Sequence, residues 1–142
     1  MFKDFWIGFF DEYDKLKSSI DFPTFKETQN LKNIQKSIIF VNTLITVHPR
    51  KNKFVAATMK CGVLSFCEVT EDKTINEYSQ IKYYPPQFSI VDEVGNIAYD
   101  KEYNVAFCDI DCSNDKVFVL YSGRSFKTHG LQNHHCEHLL IL

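Results

Sequence analysis

The fifteen residues Asp109-Ile-Asp-Cys-Ser-Asn-Asp-Lys-Val-Phe-Val-Leu-Tyr-Ser-Gly123 constrain this chain more than any other stretch. They read as two apolar strands, about 106–112 and 116–122, joined by a tight polar turn: a piece of sheet, not an active site. An earlier stretch follows the same plan, with Leu44–His48 passing through Pro49-Arg-Lys-Asn-Lys53 into Phe54–Met59 and then Cys61-Gly62. Strand, polar turn, strand and terminal glycine thus recur about 60 residues apart, which points to a repeating β architecture.

Around the earlier copy the pattern predicts four strands in sequence, about 44–48, 53–59, 63–69 and 74–84, each joined to the next by a short polar turn. Short turns need no crossover, so the four are expected to form one antiparallel meander. Their polarity is graded: Phe54-Val-Ala-Ala-Thr-Met59 is apolar on both faces, whereas the run from Ile75 to Lys82 is mixed on both. That gradient suits a propeller blade whose inner strands are buried by neighbours while the last meets water. Tyr83-Tyr-Pro-Pro86 ends the unit, because proline cannot donate to a ladder.

Before the blade, Phe5–Phe10 and Lys15–Phe22 can pair across the turn-tolerant Asp11-Glu-Tyr-Asp14, and Pro23 ends the hairpin. Thr24-Phe-Lys-Glu27 then fits a capping box, and Leu31, Ile34, Ile38 and Val41 follow at helical spacing, so a short helix near residues 25–36 is expected. After the blade, Phe88–Val91 and Gly95-Asn96 form a linker leading to strands at about 105–112, 116–122 and 136–142.

Several function classes find no support. The net charge is −2 and Lys/Arg are scattered without a run, so there is no footprint for nucleic acid or an anionic membrane. No stretch approaches the ~18 apolar residues of a transmembrane helix. Met1–Phe10 has the apolarity of a leader, but Asp4 interrupts it, Asp11 and Glu12 follow and no small-residue cleavage site appears; it reads as a strand. Five cysteines (61, 67, 108, 112 and 136) are odd in number and lack a CxxC pair. Cys108 and Cys112 on one strand lie ~13 Å apart, beyond disulfide reach. Five buried free thiols, suited to a reducing compartment, are the expectation.

The densest ionisable segment is His129…His134-His135-Cys136-Glu137-His138. On a strand His134, Cys136 and His138 would share a face, and those are zinc or copper donors, but the spacing fits no established zinc signature and no metal is expected. Asp109-x-Asp111-x-Ser113-x-Asp115 resembles a calcium loop until its sixth position, where Asn114 replaces glycine, and its twelfth, where Leu120 replaces glutamate. Those side chains read as turn formers. There is no G-x-S-x-G elbow, P-loop or G-x-G-x-x-G, which leaves only a Cys–His pair formed in space as a route to nucleophilic catalysis. Tyr83, Tyr84, Tyr99, Tyr103 and Tyr121 could stack on a sugar or peptide, and Arg124 and Lys127 follow Gly123 in a loop; of these Tyr121, Arg124 and Lys127 are the ligand-binding candidates, although core packing and solvation account for such residues too.

On Lys116-Val-Phe-Val-Leu-Tyr-Ser-Gly123, on the His48-Pro49 turn before Lys53-Phe-Val-Ala-Ala57, and on Tyr84-Pro85, the chain resembles the TolB-like six-bladed β-propeller family of bacterial envelope proteins, from about residue 5 to the end. The resemblance implies an all-β propeller fragment of about two to two and a half four-stranded antiparallel blades. Residues 1–23 would supply outer strands of one blade, 24–43 a helical connection, 44–86 a complete blade, and 87–142 a linker and an incomplete blade. It further implies a non-enzymatic binding or scaffold module for a protein, peptide or glycan, with no cofactor, in the periplasm or on an outer-membrane lipoprotein. The alternative within the fold is part of a glycan hydrolase or lyase, and outside it a self-contained α+β domain. A fragment would leave the faces of Phe54, Phe118 and Leu120 partly exposed and prone to self-association.

Overall fold

A computed structural model describes residues 4–142; the beginning of the expected N-terminal strand, residues 1–3, lies outside the described residues. The fold is mostly β. Strands β1 (Ile7–Phe10) and β2 (Leu16–Ile20) form the expected antiparallel hairpin. Its turn is held by the Asp11 carboxylate, which accepts the N–H groups of Tyr13 and Lys15 at 3.0 Å each.

The expected helix is broken in two. A 3-10 turn occupies Lys26–Thr28, and helix α1 spans Asn33–Phe40. Thr24 and Glu27 do not make the capping box; Phe25 takes the cap position, and the Thr28 hydroxyl bonds both the N–H and the carbonyl of Phe25, at 3.3 and 3.2 Å. The second start, at Lys32, is marked by Gln35 Oε1 accepting the Lys32 N–H at 2.9 Å. Tertiary packing decides both boundaries. Ile39 and Phe40 are buried, and Phe40 stacks on Phe22 and Phe25 with ring centroids 5.9 and 6.3 Å apart. That cluster draws the β-prone Ser37–Phe40 into the helix and overrides local propensity.

Strands β3 (Thr43–Val47), β4 (Lys53–Thr58), β5 (Val63–Val69) and β6 (Ile75–Lys82) form the expected four-stranded antiparallel meander in sequential order. A small hairpin, β7 (Phe88–Ile90) with β8 (Ile97–Tyr99), follows and lies against α1, where the Gln35 amide donates to the Gly95 carbonyl at 2.6 Å. The last sheet has the order β11-β10-β9, from β9 (Asn104–Ser113), β10 (Lys116–Ser125) and β11 (His138–Ile141). Between Ser113 and Lys116 the chain reverses through Asn114 and Asp115, with φ of 48° and 62°. Positive φ at both central positions matches the right-handed twist of the flanking strands, and Asn and Asp tolerate it best after glycine. Helix α2 (Phe126–His129) and a 3-10 turn over Gly130–His134 connect β10 to β11.

The two larger sheets pack face to face. Val55, Ala57 and Leu64 from one meet Ala106, Phe107, Val117 and Val119 from the other. Alternation sends Val55 and Ala57 of β4 and Val117 and Val119 of β10 inward, and a backbone bond from Ala106 N–H to the Met59 carbonyl, 2.6 Å, ties β9 to the end of β4. Hairpin β1–β2 lies beside β6, and the Ser18 hydroxyl accepts the Ile75 N–H at 3.0 Å.

The cysteine expectation is overturned. Cys108 on β9 and Cys136 just before β11 form a disulfide, with Cα atoms 6.9 Å apart; Cys61, Cys67 and Cys112 are free. Spacing along one strand rules out Cys108 with Cys112, but says nothing of a cysteine 28 residues on, which the connection after β10 carries back to β9. The same bond corrects the last strand. It begins at His138, not residue 136, and His134 ends a 3-10 turn, so His134, Cys136 and His138 do not share a strand face.

Candidate functional site

Two clusters of polar and aromatic side chains lie where the facing sheets meet, one at each end of their strands. At the end where β3 turns into β4 and β9 into β10, Arg50 N–H donates to His48 Nδ1 at 3.0 Å, so the ring proton sits on Nε2 and points to Asp115 Oδ1, 3.1 Å away. Lys51 also pairs with Asp115. The lysine first, then the histidine, holds the Asp115 carboxyl below its ordinary value. Beside them Lys53 Nζ lies 4.9 Å from the centre of the Tyr78 ring, and the space between these groups, Cys112 and Val117 is a cleft of about 190 Å³. Every charged group named here is already matched by a neighbour; the cluster latches one blade's turn to the next blade's turn.

The opposite end is different. Lys60, in the β4–β5 turn, holds its ammonium 4.1 Å from the centre of the Tyr99 ring and 5.4 Å from that of Tyr103. Tyr99 and Tyr103 lie 5.6 Å apart, and Tyr103 is nearly parallel to Phe126 at 6.3 Å. The Tyr99 hydroxyl donates to the Ile39 carbonyl at 2.5 Å, and burial raises its pKa above the ordinary range, so it stays a neutral donor. Phe126 is 39% exposed. One cation over an aromatic row, brought together by three connections, makes a surface with π faces and a single positive charge.

Of the tyrosines read from the sequence as stacking surfaces, Tyr99 and Tyr103 lie on this surface; the other candidates fall around it. Tyr121 is half-buried, stacked with Tyr83 at 6.0 Å and tilted against Phe107 at 5.9 Å, as a core residue. Gly123, at φ +67°, allows the bulge that turns the chain there; a Cβ would meet the Tyr121 ring at 2.8 Å. Arg124 pairs with Glu137 and Lys127 with Glu102, which lowers the pKa of each carboxylate. Tyr83 and Tyr84 belong to the packing between the sheets, where Tyr84 touches the core cluster and Tyr83 meets Phe107 edge-on at 5.7 Å. Lys60 and Phe126 were not legible as site residues. The only hint was a lysine directly after an apolar strand and an aromatic directly after the Gly123 turn.

Among the weak metal candidates, Cys136 has its sulfur in the disulfide and so offers no thiolate. Among the described residues no group of three or more His, Cys, Asp or Glu side chains is placed to hold a metal ion. Burial pushes the Cys61 and Cys67 thiols up to about 12, so both are protonated at neutral pH and neither is a nucleophile. Among the described residues no helix is long and apolar enough to cross a membrane.

A family model described as TolB-like 6-blade propeller-like matches residues 3–141. The chain belongs to that family. The stacked antiparallel sheets are consistent with a propeller fragment, and the Lys60–Tyr99–Tyr103–Phe126 surface lies at one end of the two larger ones. No curated protein and no solved structure matches the chain significantly.

Proposed function

We propose that this chain is the non-catalytic binding or scaffold part of a bacterial envelope propeller, and that the aromatic surface under Lys60 receives a peptide or glycan. The observation that carries the reading is the arrangement of Lys60 over Tyr99 and Tyr103, continued by the exposed ring of Phe126. Flat rings suit sugar faces and peptide side chains, and an ammonium beside them favours a ligand with a carboxylate. The strands divide as the outer pair of one blade in 1–23, a helical connection in 24–43, one whole blade in 44–86, and a linker with the inner strands of a third in 87–142. Placement in the envelope is supported by the Cys108–Cys136 disulfide, which persists in an oxidising compartment such as the periplasm, and by the family's association with the envelope.

Screening the protein against immobilised peptides and cell-wall glycans, beside its Tyr103→Ala and Lys60→Met variants, tests this. The expected result is a retained ligand recovered chemically unchanged, with at least tenfold weaker binding in each variant. Release of new reducing ends or unsaturated sugars would establish the hydrolase or lyase alternative, and binding indifferent to both variants would remove the aromatic surface from the account.

A further inference from the structure

The segment that carries the chain from β10 back to β11 is seated with little apolar burial, and its contacts converge on Tyr103. Over Phe126–His129 no side chain is buried, and over Gly130–His134 only Asn133 is. Its two large apolar side chains, Phe126 and Leu131, are 39% and 90% exposed, so the hydrophobic effect does little to hold it down. The principal tethers are the Cys108–Cys136 disulfide, the Ser122 hydroxyl donating to the Asn133 carbonyl at 2.5 Å, and the solvent-facing pairs Arg124–Glu137 and Lys127–Glu102, for which water competes. Tyr103, one of the two rings under the Lys60 ammonium, takes three contacts from the segment. The Phe126 N–H donates to its carbonyl at 3.3 Å, the Phe126 ring stacks on its ring at 6.3 Å, and the Asn133 amide donates to its hydroxyl at 3.4 Å.

We propose that the Cys108–Cys136 disulfide is a redox switch for the Lys60–Tyr99–Tyr103–Phe126 surface. Closed, it clamps residues 126–137 against Tyr103; reduced, it releases them, and the surface loses Phe126 and the fixed orientation of Tyr103. Both cysteines are partly exposed, whereas Cys61 and Cys67 are buried, and disulfides open to solvent are the ones that exchange readily with thiols. A dithiol supplies the two electrons. One of its thiolates attacks a sulfur of the bridge to form a mixed disulfide, and its second thiol then closes the reductant's own disulfide. Each cysteine sulfur leaves as a thiolate and takes one of the two protons that the reductant gave up. Strand β11 stays paired with β10 from Phe118–Ile141 to Tyr121–His138, so the segment remains tethered at both ends and reoxidation restores the clamp. The effect on ligand binding rests on this surface being the binding site; the switch is read without a ligand, so either can fail alone.

Backbone nitrogen NMR relaxation of the full chain before and after dithiothreitol tests the proposal, with a double variant, Cys108→Ala and Cys136→Ala, as an open form that needs no reductant. Order parameters over 126–137 should be about 0.85 in the oxidised protein and fall below about 0.6 on reduction, while those of β9 and β10 stay unchanged. The Tyr103 ring and Lys60 side-chain resonances should shift at the same time, and exchange of the reductant for oxidised glutathione should return them. The double variant should give the reduced spectrum and ignore dithiothreitol. A segment that stays rigid after reduction would make the bond a passive staple, and one that loosens while the Tyr103 and Lys60 resonances stay in place would cut its link to the surface. Loss of order in β9 and β10 as well would make the bond a support of the whole sheet. Each of these results would overturn the proposal.

Discussion

Phe107 is the side chain on which the packing between the two larger sheets most depends, and replacing it with alanine gives a sharp test. The ring is fully buried, in contact with the Val55–Leu64 cluster, and meets Tyr83 edge-on at 5.7 Å and Tyr121 at 5.9 Å. Removing a buried phenylalanine costs about 3–5 kcal/mol through lost transfer energy and the residual cavity. Two aromatic partners lose contacts worth about 0.5–1.5 kcal/mol each beyond area, which places Phe107→Ala near the upper end of that range. For a chain of 142 residues the unfolding entropy is about 0.3 kcal/mol/K, so a loss of about 5 kcal/mol lowers Tm by about 17 °C. Such a loss is a large part of the ~5–15 kcal/mol that holds a domain folded. Phe107→Leu keeps apolar volume and should cost about 1.5 kcal/mol. Tyr13→Ala, at a residue 81% exposed, should change stability by less than about 0.5 kcal/mol. Urea and thermal unfolding followed by circular dichroism read all three. If Phe107→Ala falls within about 1 kcal/mol of Tyr13→Ala, the sheets are not held together as described and the blade-on-blade core is refuted.

Thiol labelling under denaturing, non-reducing conditions should modify Cys61, Cys67 and Cys112 alone, and mass spectrometry should recover a Cys108–Cys136 linked peptide; five labelled thiols would remove the disulfide. Its closure of a loop over a separation of 28 residues corresponds to about 3.5 kcal/mol, so a reductant or Cys136→Ser should lower stability by up to that amount. In the native protein at pH 8, Cys112, which is half-buried, should react before Cys61 and Cys67, whose pKa near 12 leaves them protonated; labelling all three at one rate contradicts that. The Asp115 carboxyl is held below its ordinary 3.8, so its pairing with Lys51 and His48 is in place above that value and is lost as pH falls through the lower folded-state pKa. Lys51→Gln should therefore move its NMR titration midpoint upward, and an unmoved midpoint would separate Asp115 from Lys51.

Strands with short turns could be read directly from the chain. The apolar runs Phe54-Val-Ala-Ala57 and Val117-Phe-Val119, punctuated by Pro49-Arg-Lys-Asn and Ser113-Asn-Asp, force neighbours in sequence to be neighbours in the sheet, because a few-residue turn leaves no other partner within reach. The same local information failed where distant groups decide. Helix α1 was displaced to Asn33–Phe40 because Phe40 had to meet Phe22 and Phe25, an arrangement no helical periodicity encodes. The Cys108–Cys136 bond depends on a connection through α2 that returns the chain to β9, and cysteine spacing carries no trace of it. Tyr99 and Tyr103 were legible as possible stacking residues, but Lys60 and Phe126 were not, and only the fold brings the four together. Arg124 and Lys127, which looked available in a loop, were neutralised by Glu137 and Glu102 from elsewhere. Local alternation and turn chemistry act over a few residues and so are written in the sequence, whereas packing between sheets, ion pairing and disulfide closure act across space and exist only once the blades have stacked.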